Sequence, residues 1–132
     1  MFSVNFAAIA VVVVAAFVIS SVYYIVFSKP RTAMLEAAGV TPEERPQPWK
    51  VAVELVRSFV LAYVIATLVV QTGVSTAGGG LRLGFWLWLA FPVVLLSGSI
   101  IWDSAPWRMA AIHAGDWLLK IMLMAVVLGV WR

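Results

Sequence analysis

A chain of 132 residues that is 64% hydrophobic and 11% charged, with mean hydropathy +1.03, cannot cover the surface of a soluble domain, which takes roughly 25% charged residues. The same figures exclude a disordered chain. The absence of cysteine removes disulfide scaffolds, Cys-based zinc sites, redox CxxC motifs and thiol nucleophiles. The net charge of +3 comes from scattered cations with no basic run, so it does not mark a nucleic-acid partner. What remains is an all-α integral membrane protein whose first partner is the lipid bilayer.

A membrane-spanning helix needs about 20 mostly apolar residues, and four stretches qualify: about Val4 to Phe27, Trp49 to Gln71, Leu83 to Trp102 and Trp107 to Trp131. The chain therefore reads as one transmembrane domain, a four-transmembrane-helix bundle with short loops. Each segment must satisfy its own backbone hydrogen bonds in lipid, so even the valine-rich first one is expected to be helical. Its apolar stretch is about twice a signal-peptide h-region and no Lys or Arg precedes it, so it is expected to be retained.

The polar loop over residues 28–48 is the one connection of any size. Ser28 reads as an N-cap with Pro30 near the first helical position, and Gly39 as a stop, enclosing a short surface helix with Met34 and Leu35. Thr41-Pro42-Glu43-Glu44 has capping-box spacing, cut short by Pro46 and Pro48. The second loop, Thr72 to Gly80, ends in Gly78-Gly79-Gly80; without a preceding strand or a Lys-Ser/Thr ending, it reads as a flexible linker. Pro92 near the middle of the third span is expected to kink it.

Four spans place both termini on one side. Lys29, Arg31, Arg45, Lys50 and Arg108 fall on the side of loops 1 and 3, against Arg82 and Arg132 on the other. By the positive-inside rule, loops 1 and 3 are cytoplasmic and both termini face outward. Trp49, Trp102 and Trp107 would mark one interface, and Trp86, Trp88 and Trp131 the other.

The ionisable residues within the spans carry the functional signal. Each costs about 2.5–3.5 kcal/mol or more near a helix centre if left in lipid, so Glu54, Arg57, His113, Asp116 and Lys120 should face protein or water. Glu54 and Arg57 are three apart on one face, which Ser58 extends. His113, Asp116 and Lys120 share a stripe on the fourth helix, with Ala111 and Gly115 as a small-xxx-small packing pair opposite. Counted from Trp49 and Trp107, Glu54 and His113 both lie roughly 8–9 Å deep at 1.5 Å per residue. Two acids and two bases can neutralise one another there, if the second and fourth helices touch.

Enzymatic chemistry finds no assembled site. Ser97 and Ser99 lack a Gly-x-Ser-x-Gly elbow, and the single histidine supports neither bis-His haem ligation nor a completed metal site. No enzyme activity, metal or cofactor is expected.

Two segments resemble a known family. The run Val22-Tyr23-Tyr24-Ile25-Val26-Phe27-Ser28-Lys29-Pro30-Arg31-Thr32-Ala33-Met34, closing at Gly39, resembles the end of the first span in a bacterial membrane family catalogued as domain of unknown function 1761. The ending His113-Ala114-Gly115-Asp116-Trp117, continuing through Leu123 to Arg132, resembles that family's C terminus. Members similar to this chain usually carry an Asn-Ala-Gly-Tyr-His type run where His113 to Trp117 stand here. The resemblance implies a four-span fold and an inner-membrane address, and no activity.

Two functions are open at this point. One is permeation or proton-coupled transport of a small solute through a homo-oligomer, with Glu54, Arg57, His113, Asp116 and Lys120 lining the site. The other is an accessory or scaffold subunit of a larger membrane protein, in which the polar stripe sets packing and the Ala111/Gly115 face binds the partner.

Overall fold

In a computed structural model, which describes residues 4–39 and 47–131, Asn5 opens the first helix. Its side-chain oxygen accepts the Ala8 backbone N–H at 3.1 Å, satisfying one of the donors that a helix start leaves free. Helix α1 then runs over Phe6–Val26. Its valines stay helical, as expected of backbone that has no water to bond. At Phe27 the chain passes into α2, Ser28–Ala37, almost without a break: the Phe27 N–H donates to the Tyr23 carbonyl and the Arg31 N–H to the Phe27 carbonyl, each at 3.1 Å. Ser28 is therefore the first residue of α2 and not its cap. Gly39 ends the segment at φ +78°, a conformation that favours glycine. The capping-box run 41–44, Arg45 and Pro46 lie outside the described residues.

Helix α3, Pro48–Thr72, has proline at its first position and closes on Gly73 at φ +72°. The Val74 N–H donates to the Val69 carbonyl at 3.1 Å, the six-to-one bond that accompanies a left-handed C-terminal glycine. Helix α4, Ala77–Trp88, starts earlier than hydropathy indicated. Thr76 caps it, its hydroxyl accepting the Gly79 N–H at 3.0 Å, so Gly78-Gly79-Gly80 forms the first helical turn and is not a linker. Pro92 sits in a π-helical turn, Leu89–Val93, which widens the spiral where proline has no N–H to give. Beyond it lies α5, Val94–Trp102. Ala77–Trp102 is thus one span of 26 residues. Helix α6, Trp107–Val130, is the last.

Four helical spans, Phe6–Val26, Pro48–Thr72, Ala77–Trp102 and Trp107–Val130, are long and apolar enough to cross a membrane. Helix α6 is the shared element: α1 and α3 pack on it and on each other, and α4 lies along a further side. Ile9, Val12, Ile65, Val69 and Met124 are the largest fully buried side chains and fill the α1–α3–α6 core. Between α4 and α6 the backbones nearly touch. A Cβ on Gly80 would stand 2.6 Å from the Ala125 carbonyl oxygen, and one on Gly84 3.0 Å from the Met122 sulfur.

The aromatic ends are half as expected. Trp49, Trp102 and Trp107 are exposed at the end that carries loops 1 and 3. Trp88 belongs to neither interface. It lies about 16 Å along α4 from Ala77, at 1.5 Å per residue, and its indole N–H donates to the Ala114 carbonyl at 2.8 Å.

Candidate functional site

The spacing of three and four residues puts His113, Asp116 and Lys120 on one face of α6, and that face looks into the angle between α1 and α3. Asp116 is 2% exposed and Lys120 7%, so both charges are out of solvent and must be partnered. The Lys120 ammonium lies 3.1 Å from Asp116 Oδ2 and 3.3 Å from Glu54 Oε1. The second and fourth spans therefore do meet, through a single lysine shared between two carboxylates. Glu54 in turn accepts from Arg57 Nη1 at 2.8 Å. Lys120 also stands 5.1 Å from the centre of the Trp117 ring, a cation–π contact.

Helix α1 supplies partners that charge-based reasoning passed over. Ser20 donates to Asp116 Oδ1 at 2.6 Å. The Tyr24 hydroxyl is 2.8 Å from His113 Nδ1 and 3.4 Å from Asp116 Oδ2. Tyr23 donates to the Ile112 carbonyl at 2.7 Å. From α2, the Arg31 guanidinium sits 5.2 Å from the Tyr24 ring centre. Ser20 and Tyr24 are four residues apart on one face, and that spacing was the available signal. Neutral hydroxyls in an apolar helix barely register in hydropathy, which is why it went unread.

These groups surround a cavity of about 490 Å³. Its floor is the Asp116–Lys120 pair, and its rim carries Glu54 and Arg57, whose side chains are 34% and 58% exposed. Among the described residues, every buried side-chain polar atom has a hydrogen-bond partner, and no group of three or more His, Cys, Asp or Glu is placed to hold a metal ion. All five ionisable residues singled out in the sequence line this one cavity. Ala111 and Gly115 divide. Gly115 lies under the Tyr23 hydroxyl so closely that a Cβ would collide, whereas Ala111 is exposed. The pair is not a single packing face, and the close helix contact is made instead by Gly80 and Gly84 of α4.

Four helices long and apolar enough to cross a membrane, packed around a charged cavity, define a small all-α membrane protein. Over residues 7–129 the chain matches the family described as Protein of unknown function (DUF1761), and it belongs to that family. No curated protein and no solved structure matches it.

Proposed function

We propose that the protein is a non-enzymatic carrier that binds a small polar solute in the charged cavity and couples its movement to protons. The observation that carries this reading is the buried Asp116–Lys120 pair at the floor of a cavity of about 490 Å³. Ionisable groups at this depth are costly, and a pair serving packing alone has no need of an adjoining space.

The chemistry follows from the sharing of Lys120. An ammonium has three donors, and here it faces carboxylates on two helices. Protonation of Asp116 removes one of its anionic partners and leaves Lys120 to Glu54; protonation of Glu54 does the reverse. Either step changes the tie between α3 and α6. Tyr24, within reach of both His113 and Asp116, gives a hydroxyl route by which a proton passes between the imidazole and the carboxylate. A solute carrying an anionic group competes with these carboxylates for Lys120 and Arg57. Toward the end that carries the termini, the buried Ile9, Val12, Ile65 and Met124 close the path.

The cavity forms within one chain, and copies associating as a homo-oligomer would each carry a complete site. The accessory-subunit reading has less support, because Gly115, half of its docking face, is covered by Tyr23. The test is proton and solute flux in proteoliposomes. Asp116→Asn keeps the size of the side chain but removes the carboxylate; it is expected to abolish flux while leaving the assembled mass unchanged. Flux at the wild-type rate in this variant overturns the site assignment.

A further inference from the structure

A second cavity, of about 510 Å³, lies beside the charged one and is almost wholly apolar. It runs between α3 and the α4–α5 span, with Leu61, Val64 and Leu68 on one wall, Leu87 and Phe91 on the other, and Trp117 at its base. Trp117 also lines the charged cavity, so the two spaces meet at that ring. Helix α3 shows the same continuity. Glu54, Arg57, Leu61, Val64 and Leu68 are spaced three and four apart, a single helical face that begins charged and becomes aliphatic. The two spaces adjoin along this face of α3 at the Trp117 ring, a cleft in two parts, polar toward loops 1 and 3 and apolar beyond.

The charge of the polar part selects the occupant. Arg31, Arg57 and Lys120 face it, against Glu54 and Asp116, so with His113 neutral it is net positive. Arg57 makes one contact to Glu54 out of five guanidinium donors, and its side chain is 58% exposed. Arg31 has its charge over the Tyr24 ring. Two guanidinium groups at the rim suit a phosphate group, which arginine recognises with paired donors.

We infer that the cleft binds an amphiphile headed by a terminal phosphate monoester, the headgroup at Arg57 and Arg31 and the acyl chain in the groove between α3 and the α4–α5 span. This rests on the charged cavity being a binding site, as proposed above, and gives its cationic rim a lipid headgroup in place of a free polar solute; it does not depend on transport.

The test is equilibrium binding of an 18-carbon lysophosphatidic acid to the whole protein in a neutral maltoside detergent, with the matching lysophosphatidylcholine and inorganic phosphate as competitors. The lysophosphatidic acid is expected to bind about tenfold tighter than the choline lipid, the factor that about 1.4 kcal/mol confers, and inorganic phosphate is expected not to displace it. Arg57→Gln should erase the preference. Val64→Trp and Leu87→Trp fill the groove from opposite walls, and each should weaken binding about tenfold, the cost of losing two buried methylenes. Melting curves show which groove variant is folded, and a folded one decides. Equal affinity for the two lipids, displacement by inorganic phosphate, or undiminished binding in a folded groove variant overturns the inference. Because this readout needs no gradient, it can fail while the flux experiment succeeds, and the reverse.

Discussion

Lys120 has two anionic neighbours, and the energetics of that arrangement are asymmetric. Removing the lysine leaves Asp116, 2% exposed, with Ser20 and Tyr24 but no countercharge, and breaking a buried pair from one side costs about 3–5 kcal/mol. Removing both charges leaves Glu54 still bonded to Arg57 at 2.8 Å and an apolar gap of similar volume, a change that is often neutral. Lys120→Met is therefore expected to lower thermal stability in detergent strongly, and Lys120→Met combined with Asp116→Leu to recover most of the loss. A double variant as unstable as the single one would mean that Lys120 supports the fold chiefly through its contact with Trp117 or Glu54. At this scale the sequence was informative about charge and about Ser58, which lines the cavity, and silent about the hydroxyls of α1. The five ionisable residues stand out because each is expensive in lipid, and cost alone brings them to one cavity. Ser20 and Tyr24 complete the Asp116 environment, yet they cost little in an apolar helix and left no comparable mark.

Among the elements, α4 is where sequence and structure part most. Three consecutive glycines read as a linker because glycine is a poor helix former in water. Within a membrane the absence of a side chain is an advantage, since it lets backbones approach. Gly80 and Gly84 lie four apart on α4 and meet Ala125 and its neighbours on α6; Gly129 completes the small surface, where a Cβ would stand 4.0 Å from the Gly80 Cα. Gly80→Ala would place a methyl 2.6 Å from the Ala125 carbonyl oxygen and 2.9 Å from the Val126 Cα. Both are backbone atoms that cannot rotate away, so the helices must part. Overpacking of this kind costs about 1–3 kcal/mol. Gly78→Ala meets nothing within 4 Å and should be neutral or stabilising by up to about 1 kcal/mol, the propensity gain in a helix. Melting temperatures of the two variants in one detergent check the contrast; equal effects would show that the α4–α6 contact is not set at Gly80.

For the whole molecule, four apolar segments separated by polar breaks were legible because hydropathy alone decides them. Which helices touch was not, since lipid-facing and helix-facing leucines and valines look alike in sequence. Orientation remains an expectation from charge, and it fixes which compartment the cavity serves, because Arg31, Glu54 and His113 all lie toward loops 1 and 3. Arg82 counts less than it did in the sequence, since it lies in the second turn of α4, whereas Lys50 and Arg108 lie in the first turns of α3 and α6; with Lys29 and Arg31 they favour loops 1 and 3. Short-loop cations of this kind are retained in the cytoplasm, so the cavity should open inward. The chain has no cysteine, and single substitutions can therefore report the side directly. Ala38→Cys lies just past α2 and Ser75→Cys in the turn before α4, and both positions are exposed. In intact cells a membrane-impermeant maleimide is expected to label Ser75→Cys, and to label Ala38→Cys only after permeabilisation. The opposite pattern would invert the bundle and turn the charged cavity toward the outside. Solute would then be captured from the medium rather than from the cytoplasm, with Lys120 and its two carboxylates unchanged in geometry.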